Sequence, residues 1–178
     1  KLMKLWEGLG YYNRVRNMQM AARTVVCEYE GKLPASYEEL LSLKGIGNYT
    51  AGAIASIAYQ IPVPAVDGNV LRVISRITED RQDIMKQSVR RQIEESLLEI
   101  MPEDIPGDFN QALMELGAVV CVPNGSAHCE ACPVSEYCFA YRHGTVEELP
   151  VKAPKKERIL QNRTVLVIQD GEKTAIQK

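Results

Sequence analysis

Two helical patterns meet at Leu43-Lys44-Gly45-Ile46-Gly47-Asn48-Tyr49-Thr50-Ala51-Gly52, and this junction narrows the possible folds more than any other segment. Ser36 is placed to cap the helix before it, with Glu39 three residues on completing a capping box. The helix after it, about Tyr49 to Tyr59, is built from small residues: Ala51, Gly52, Ala53, Ala55, Ser56 and Ala58. Between the two, Gly45 and Gly47 open backbone angles closed to other residues and permit close approach of another backbone. Ile46 is expected to anchor the turn in the core. The unpaired N–H groups of the next helix's first turn then face outward, where they suit a phosphate. A tight helical hairpin with no ligand is the simpler account of a bare Gly-x-Gly.

The rest of the chain predicts a mainly α fold. From Asn13 to Tyr29, apolar residues at Val15, Met18, Ala22, Val25, Val26 and Tyr29 keep helical spacing. Cys27 in that helix is expected to be a small core residue. Asp67 is placed to cap a helix from Val70 to Ile77. Further helices are predicted over Ser88–Met101 and Phe109–Val120, the latter with Asp108 as cap and Gln111 at the third position. Residues 147–161, rich in Pro and Lys, read as an exposed linker. Thr164 to Ile168, Asp170-Gly171, and Thr174 to Ile176 then read as strand, tight turn, strand. This gives a helical domain over residues 1–142, a linker over 143–161, and the opening of a second domain over 162–178.

A formal charge of −2 supplies no global attraction for nucleic acid, so any DNA contact must rest on local features. Basic residues do cluster, at Arg72, Arg76, Arg81, Arg90 and Arg91 and again from Lys152 to Arg163; solvated helix faces account for such runs equally well. No run is long and apolar enough to predict a membrane span. Of five cysteines, Cys27 stands apart and the others follow Cys121-x7-Cys129-x2-Cys132-x5-Cys138. An odd count with a tight cluster argues for a metal site in a reducing compartment rather than a disulfide framework. Spacing alone leaves tetrahedral zinc and an iron–sulfur cluster both open.

Several blocks in order resemble the adenine DNA glycosylase family of helix-hairpin-helix base-excision repair enzymes. They are Trp6-Glu7-Gly8-Leu9-Gly10-Tyr11-Tyr12-Asn13-Arg14, the Gly45 junction, Pro64-Ala65-Val66-Asp67-Gly68-Asn69-Val70, Phe109-Asn110-Gln111-Ala112-Leu113-Met114-Glu115-Leu116-Gly117-Ala118, and the cysteines. The resemblance runs from Lys1 to about Arg142. It implies hydrolytic removal of adenine opposite 8-oxoguanine or guanine in double-stranded DNA, in the bacterial cytoplasm or the eukaryotic nucleus and mitochondrion. Asp67 matches the family's catalytic aspartate, which stabilises a cationic sugar, and a helix N-terminus suits a carboxylate that must stay charged. Tyr49 is implied to shape the sugar site and Asn69 to hold the attacking water.

By the same resemblance Lys44, Gly45, Ile46 and Gly47 grip the DNA backbone. Gln111 contacts the extruded base or serves as a capping residue, and Leu9, Tyr11 and Tyr12 are wedge candidates. Cys121, Cys129, Cys132 and Cys138 are implied to hold a [4Fe–4S] cluster, although the family usually has six residues in the first gap and this chain has seven. The related endonuclease III enzymes carry a Schiff-base lysine where Tyr49 stands, so no lyase step is expected. The family's proton-donating glutamate lies upstream of the Trp6 block, and neither Glu7 nor Glu28 lies in its motif. The chain as given is therefore expected to be inactive alone. A non-catalytic iron–sulfur DNA-binding module is the alternative, and residues 162–178 are implied to open a Nudix-like domain.

Overall fold

The computed structural model describes residues 2–154, 161 and 167–174. Among the described residues eight α-helices follow in order: α1 Leu2–Leu5, α2 Tyr12–Glu28, α3 Tyr37–Ser42, α4 Asn48–Tyr59, α5 Gly68–Ile77, α6 Gln87–Ile100, α7 Pro106–Glu115 and α8 Phe139–His143. A two-residue antiparallel pair, β1 Gln169–Asp170 with β2 Lys173–Thr174, comes last. None of the described helices is long and apolar enough to cross a membrane.

Two apolar clusters organise the helices. The first joins α2, α3 and α4 through Val25, Leu40, Leu43, Ala51 and Ala55, with Ile46, Ile61 and Val63 packed against it. The second joins α5 and α6 through Val70, Leu71, Val89, Ile93 and Leu97, and also takes in Val66. Residues 61–66 therefore bridge the clusters, and Asp67 emerges at the end of that bridge. The small side chains of α4 make this possible. A Cβ on Gly52 would lie 2.3 Å from the Pro64 carbonyl oxygen, so the bridge rests directly on the helix backbone. Gly52→Ala is accordingly expected to lower stability by about 1–3 kcal/mol, the usual cost of overpacking. Urea unfolding checks it, and an unchanged midpoint would remove the close approach from the account.

Helix starts follow local chemistry, with some departures from expectation. Ser36 Oγ accepts from the Glu39 amide at 3.4 Å and donates to Glu38 Oε2 at 3.0 Å, so the cap forms with Glu38 rather than Glu39 as its side-chain partner. Asp108 is not a cap. Pro106 at the first helical position starts α7 three residues earlier than expected, with Ile105 as an N-cap that makes no side-chain bond. Gln111, no longer available to a capping box, donates to Gly107 O at 3.3 Å within its own helix. The predicted single helix to Val120 divides at Glu115, and Leu116–Val120 forms a π-helical turn.

The buried stripe of α2 is narrower than its periodicity suggests: Val15 and Val25 are buried, while Met18 and Val26 are exposed. Cys27 is exposed too, correcting the expected core position. Two residues beyond Val25, it points roughly to the opposite side of the helix.

Residues expected to begin an exposed linker are packed as far as Val151. Leu149 is buried with Cys138 and Ala140, and Val151 O accepts from Ile84 N at 3.2 Å. The expected turn Asp170-Gly171 is displaced by one residue: Asp170 already pairs with Lys173, and Gly171 takes the positive φ of 58° inside the turn. The remaining expected strand residues, 164–166 and 175–176, lie outside the described set, as does most of the second basic run.

Candidate active site and cysteine cavity

The Asp67 carboxylate sits at the N-terminus of α5. Its Oδ1 accepts from the amides of Asn69 at 2.8 Å and Val70 at 2.9 Å, which fixes the side chain as a helix cap. Its Oδ2 accepts from Asn69 Nδ2 at 3.0 Å. The expected pair Asp67 and Asn69 is thus joined directly, and both residues are half-buried. Gly117 in the π-helical turn backs the pair, since a Cβ there would lie 2.6 Å from Asn69 Cβ.

Asn69 leads onward to residues that sequence reasoning did not single out. Its Oδ1 accepts from Arg72 Nη2 at 2.9 Å, and the same guanidinium donates to Gly117 O at 2.7 Å and Cys121 O at 2.8 Å. One helical turn on, Arg76 donates to Leu149 O at 3.0 Å, to Val122 O at 3.1 Å and to Cys121 Sγ at 3.3 Å. Arg72 and Arg76 are 5% and 3% exposed, so neither forms a solvated basic face. Burial pulls the Arg72 guanidinium below its ordinary value and Arg76 acts the same way, while Cys121 and Asp67 oppose them. A chain of hydrogen bonds thereby runs from the carboxylate at Asp67 to the first cysteine of the cluster.

Cys121, Cys129, Cys132 and Cys138 line one mostly apolar cavity together with Arg76, Val73, Ile77 and Leu116. Among the described residues no three His, Cys, Asp or Glu side chains converge tightly enough to hold a single metal ion. All four cysteines nonetheless line that one cavity. The seven-residue gap between Cys121 and Cys129 bends at Gly125, which takes a φ of 78°. His128 is exposed and does not line this cavity. Burial, and then the charge of the neighbouring thiolates, pushes the Cys129 thiol up; burial does the same to Cys132. A bound cation reverses that preference by stabilising thiolates.

The end of this loop is tied down at the surface. Glu79 binds His143 of α8 and accepts from Thr145 Oγ1 at 2.8 Å. The hydrogen bond to His143, then that to Thr145, holds the Glu79 carboxyl below its ordinary value of 4.5. A lowered carboxylate contributes stability above its unfolded value and loses it as pH falls through its folded one. The stability difference between the native protein and Glu79→Gln is therefore expected at pH 7 and should vanish well below pH 4.5 in thermal unfolding. A difference that persists in acid would contradict this.

At the hairpin, Gly45 takes a φ of 85°, and a Cβ there would lie 2.6 Å from Asn17 Cβ, seating the turn on α2. Gly47 differs from expectation. Its φ of −107° is open to any residue, and nothing lies within 4 Å of a Cβ placed on it. Its contribution is an uncovered outer edge at the start of α4. Ile46 packs into the first apolar cluster, while Lys44 is exposed.

Tyr49 lies in the first turn of α4, 42% exposed, with its hydroxyl 3.5 Å from Met114 Sδ on α7. Gln111 lies exposed on the same helix as Met114. An open recess beside these residues is lined by Gly47, Asn48, Tyr49, Thr50, Val66, Gln87, Arg90 and Glu94. The Trp6 loop is shaped by Trp6 Nε1 donating to Gly10 O at 2.8 Å. It projects Leu9 and Tyr11, 63% and 87% exposed, and Tyr11 is held in the left-handed region at φ 46°.

Comparison with known proteins agrees with this architecture. Residues 28–57 match the helix-hairpin-helix motif family. A thermostable thymine-DNA glycosylase superposes with a TM-score of 0.68 at 28% identity, covering 80% of this chain and 65% of its own. A trapped endonuclease III–DNA covalent intermediate gives 0.67 at 28% identity, with the same 80% and 65% coverage. The fold is that of the helix-hairpin-helix DNA glycosylases.

Sequence comparison is narrower. The adenine DNA glycosylase of Mus musculus is 43% identical over 90% of this chain and 32% of its own length. That of Schizosaccharomyces pombe is 40% identical over 82% and 32%. The Buchnera aphidicola (subsp. Schizaphis graminum) protein is 32% identical over 94% and 48%. By sequence the chain is similar, over most of its own length, to adenine DNA glycosylases, and it spans about a third of the length of the first two of these relatives.

Proposed function

We propose that the protein removes adenine hydrolytically from double-stranded DNA in which it is mispaired with 8-oxoguanine or guanine, as a glycosylase without lyase activity. The observation that carries this reading is Asp67, a half-buried carboxylate fixed by two backbone amides and paired with Asn69. Breaking an N-glycosidic bond passes through an oxocarbenium-like state, and a fixed anion beside the sugar lowers its energy. The bonding pair leaves with adenine, which takes a proton from an acid. Water adds at C1′ and gives up a proton in turn. Asn69, with Asp67, is assigned to orient that water, and Tyr49 to flank the sugar.

Lys44, Gly45, Ile46 and Gly47 are assigned to the DNA backbone, through main-chain N–H groups at the start of α4 rather than through a basic surface. Leu9 and Tyr11 are exposed and held in a shaped loop, which suits a wedge entering the base stack. Gln111 is assigned to the extruded base. Cys121, Cys129, Cys132 and Cys138 are assigned as ligands of a [4Fe–4S] cluster; thiols spread around a shared cavity suit a polynuclear group better than one zinc ion. When bound, the cluster supplies a rigid crosslink for the loop. A helical unit, a connecting segment and a Nudix-like unit beginning at the hairpin make up the proposed domain order.

Two measurements test this. The full-length protein should release free adenine from A:8-oxoguanine and A:G duplexes and leave the abasic strand uncut, with no borohydride-trapped adduct. Binding without release would favour a non-catalytic module, and a trapped adduct would favour a lyase. Purified protein should be brown with broad visible absorption, and Cys129→Ser should remove that absorption. Colourless protein with stoichiometric zinc would overturn the cluster assignment.

A further inference from the structure

The bridge that delivers Asp67 contains Pro62 and Pro64, which have no N–H to donate. The Val63 amide turns back to Ile61 O at 2.8 Å, while the Ala65 amide and the Val63 carbonyl find partners outside the bridge. One side chain supplies both. Asn110 of α7 is 1% exposed, accepts from the Ala65 amide through Oδ1 at 3.0 Å, and donates through Nδ2 to Val63 O at 2.9 Å. The second Nδ2 hydrogen goes to Ser56 Oγ of α4 at 2.8 Å, and Ser56 donates in turn to Gly52 O at 2.8 Å. A planar amide is suited to this task, because it presents an acceptor and two donors in fixed directions.

We infer that Asn110 is a positioning residue for the reaction, tying residues 63–65 to α7 so that Asp67 is held at a set depth in the site. The clamp grips the chain two residues before Asp67, which in turn caps α5 on its other side. The Asp67 side chain is oriented by α5, and its main chain is located by α7 through Asn110. Gly107 at the start of α7 permits this, since a Cβ there would meet Ser56 O at 2.9 Å. The inference rests on Asp67 being the catalytic carboxylate, where misplacement by about 1 Å costs on the order of 100-fold in rate.

The test uses full-length protein bearing Asn110→Ala, compared with Ser56→Ala, which cuts the same network on the side away from Asp67. If Asn110→Ala does not fold, Asn110→Ser replaces it, being too short to reach both Ala65 and Val63. Three quantities are read: amide hydrogen exchange across residues 61–67, single-turnover adenine release, and Kd for an A:8-oxoguanine duplex.

The Asn110 variant should exchange the Ala65 amide at least about tenfold faster and release adenine about 10–100-fold more slowly, with Kd within about threefold of wild type. Ser56→Ala should leave exchange at Ala65 and the release rate within about threefold. Equal rate losses in the two variants, or an Ala65 amide that stays protected without Asn110, would overturn the inference. A wild-type protein that releases no base would remove the glycosylase reading instead, and the exchange arm would then decide the clamp alone.

Discussion

Replacing Arg72 with methionine is expected to destabilise the helical unit by about 2–4 kcal/mol and to slow base release as well. The guanidinium satisfies Cys121 O, Gly117 O and Asn69 Oδ1 at once, in a site with almost no access to water. Methionine fills much of the volume and leaves those acceptors without a donor. Each buried acceptor so stranded costs about 1–3 kcal/mol, with partial relief from relaxation or entering water. Arg72→Lys should recover little, because one ammonium cannot reproduce the planar fork.

The effect on activity has its own route. Asn69 loses the partner that fixes its amide, and Asn69 is the side chain bound to Asp67 Oδ2. Urea unfolding measures the first effect and single-turnover kinetics the second. A variant as stable as wild type would show that the contacts around Cys121 are dispensable.

The Arg72 hub also marks the limit of sequence reading. The hairpin could be read because its signals are local: Gly45, the small residues of α4 and the Ser36 cap hold, while Gly47 and the Glu39 side chain do not play the parts expected. Asp67 as a cap is local too. What could not be read depends on where distant backbone lies. Arg72 and Arg76 are one turn apart in a helix that is buried on nearly every side, and their partners are carbonyls some 45 to 73 residues away. A run of arginines resembles a solvated or DNA-facing surface until those carbonyls are placed.

Asn110 shows the same limit, since its partners lie 45, 47 and 54 residues away. The available clue was two prolines shortly before Asp67, which leave backbone groups in need of side-chain partners. Asp108 misled for a different reason. A good capping residue lost to Pro106, whose fixed φ and missing N–H suit the first helical position. Cys27 misled because a residue type's average burial says nothing about which side of its helix it occupies.

Asp67→Asn is expected to produce the largest loss of activity, about 10³-fold or more in single-turnover release, with little change in fold. The substitution is close to isosteric. Asparagine caps helices about as well as aspartate, so its Oδ1 can keep the amides of Asn69 and Val70. At the other position an amide nitrogen would face Asn69 Nδ2, two donors opposed, and a flip of Asn69 would relieve this only by disturbing its bond from Arg72. Stability should therefore fall by about 1 kcal/mol or less. The negative charge is lost outright. If Asp67 were only a cap, the substitution would leave catalysis nearly intact.

That contrast makes one measurement decisive. Single-turnover release of adenine from an A:8-oxoguanine duplex is compared between the full-length protein and its Asp67→Asn variant, with duplex Kd determined for both. Release lost by about 10³-fold or more, with Kd within a few-fold, is the expected result. Release by the variant within about tenfold of wild type would contradict the assignment of Asp67 as the carboxylate that carries the reaction.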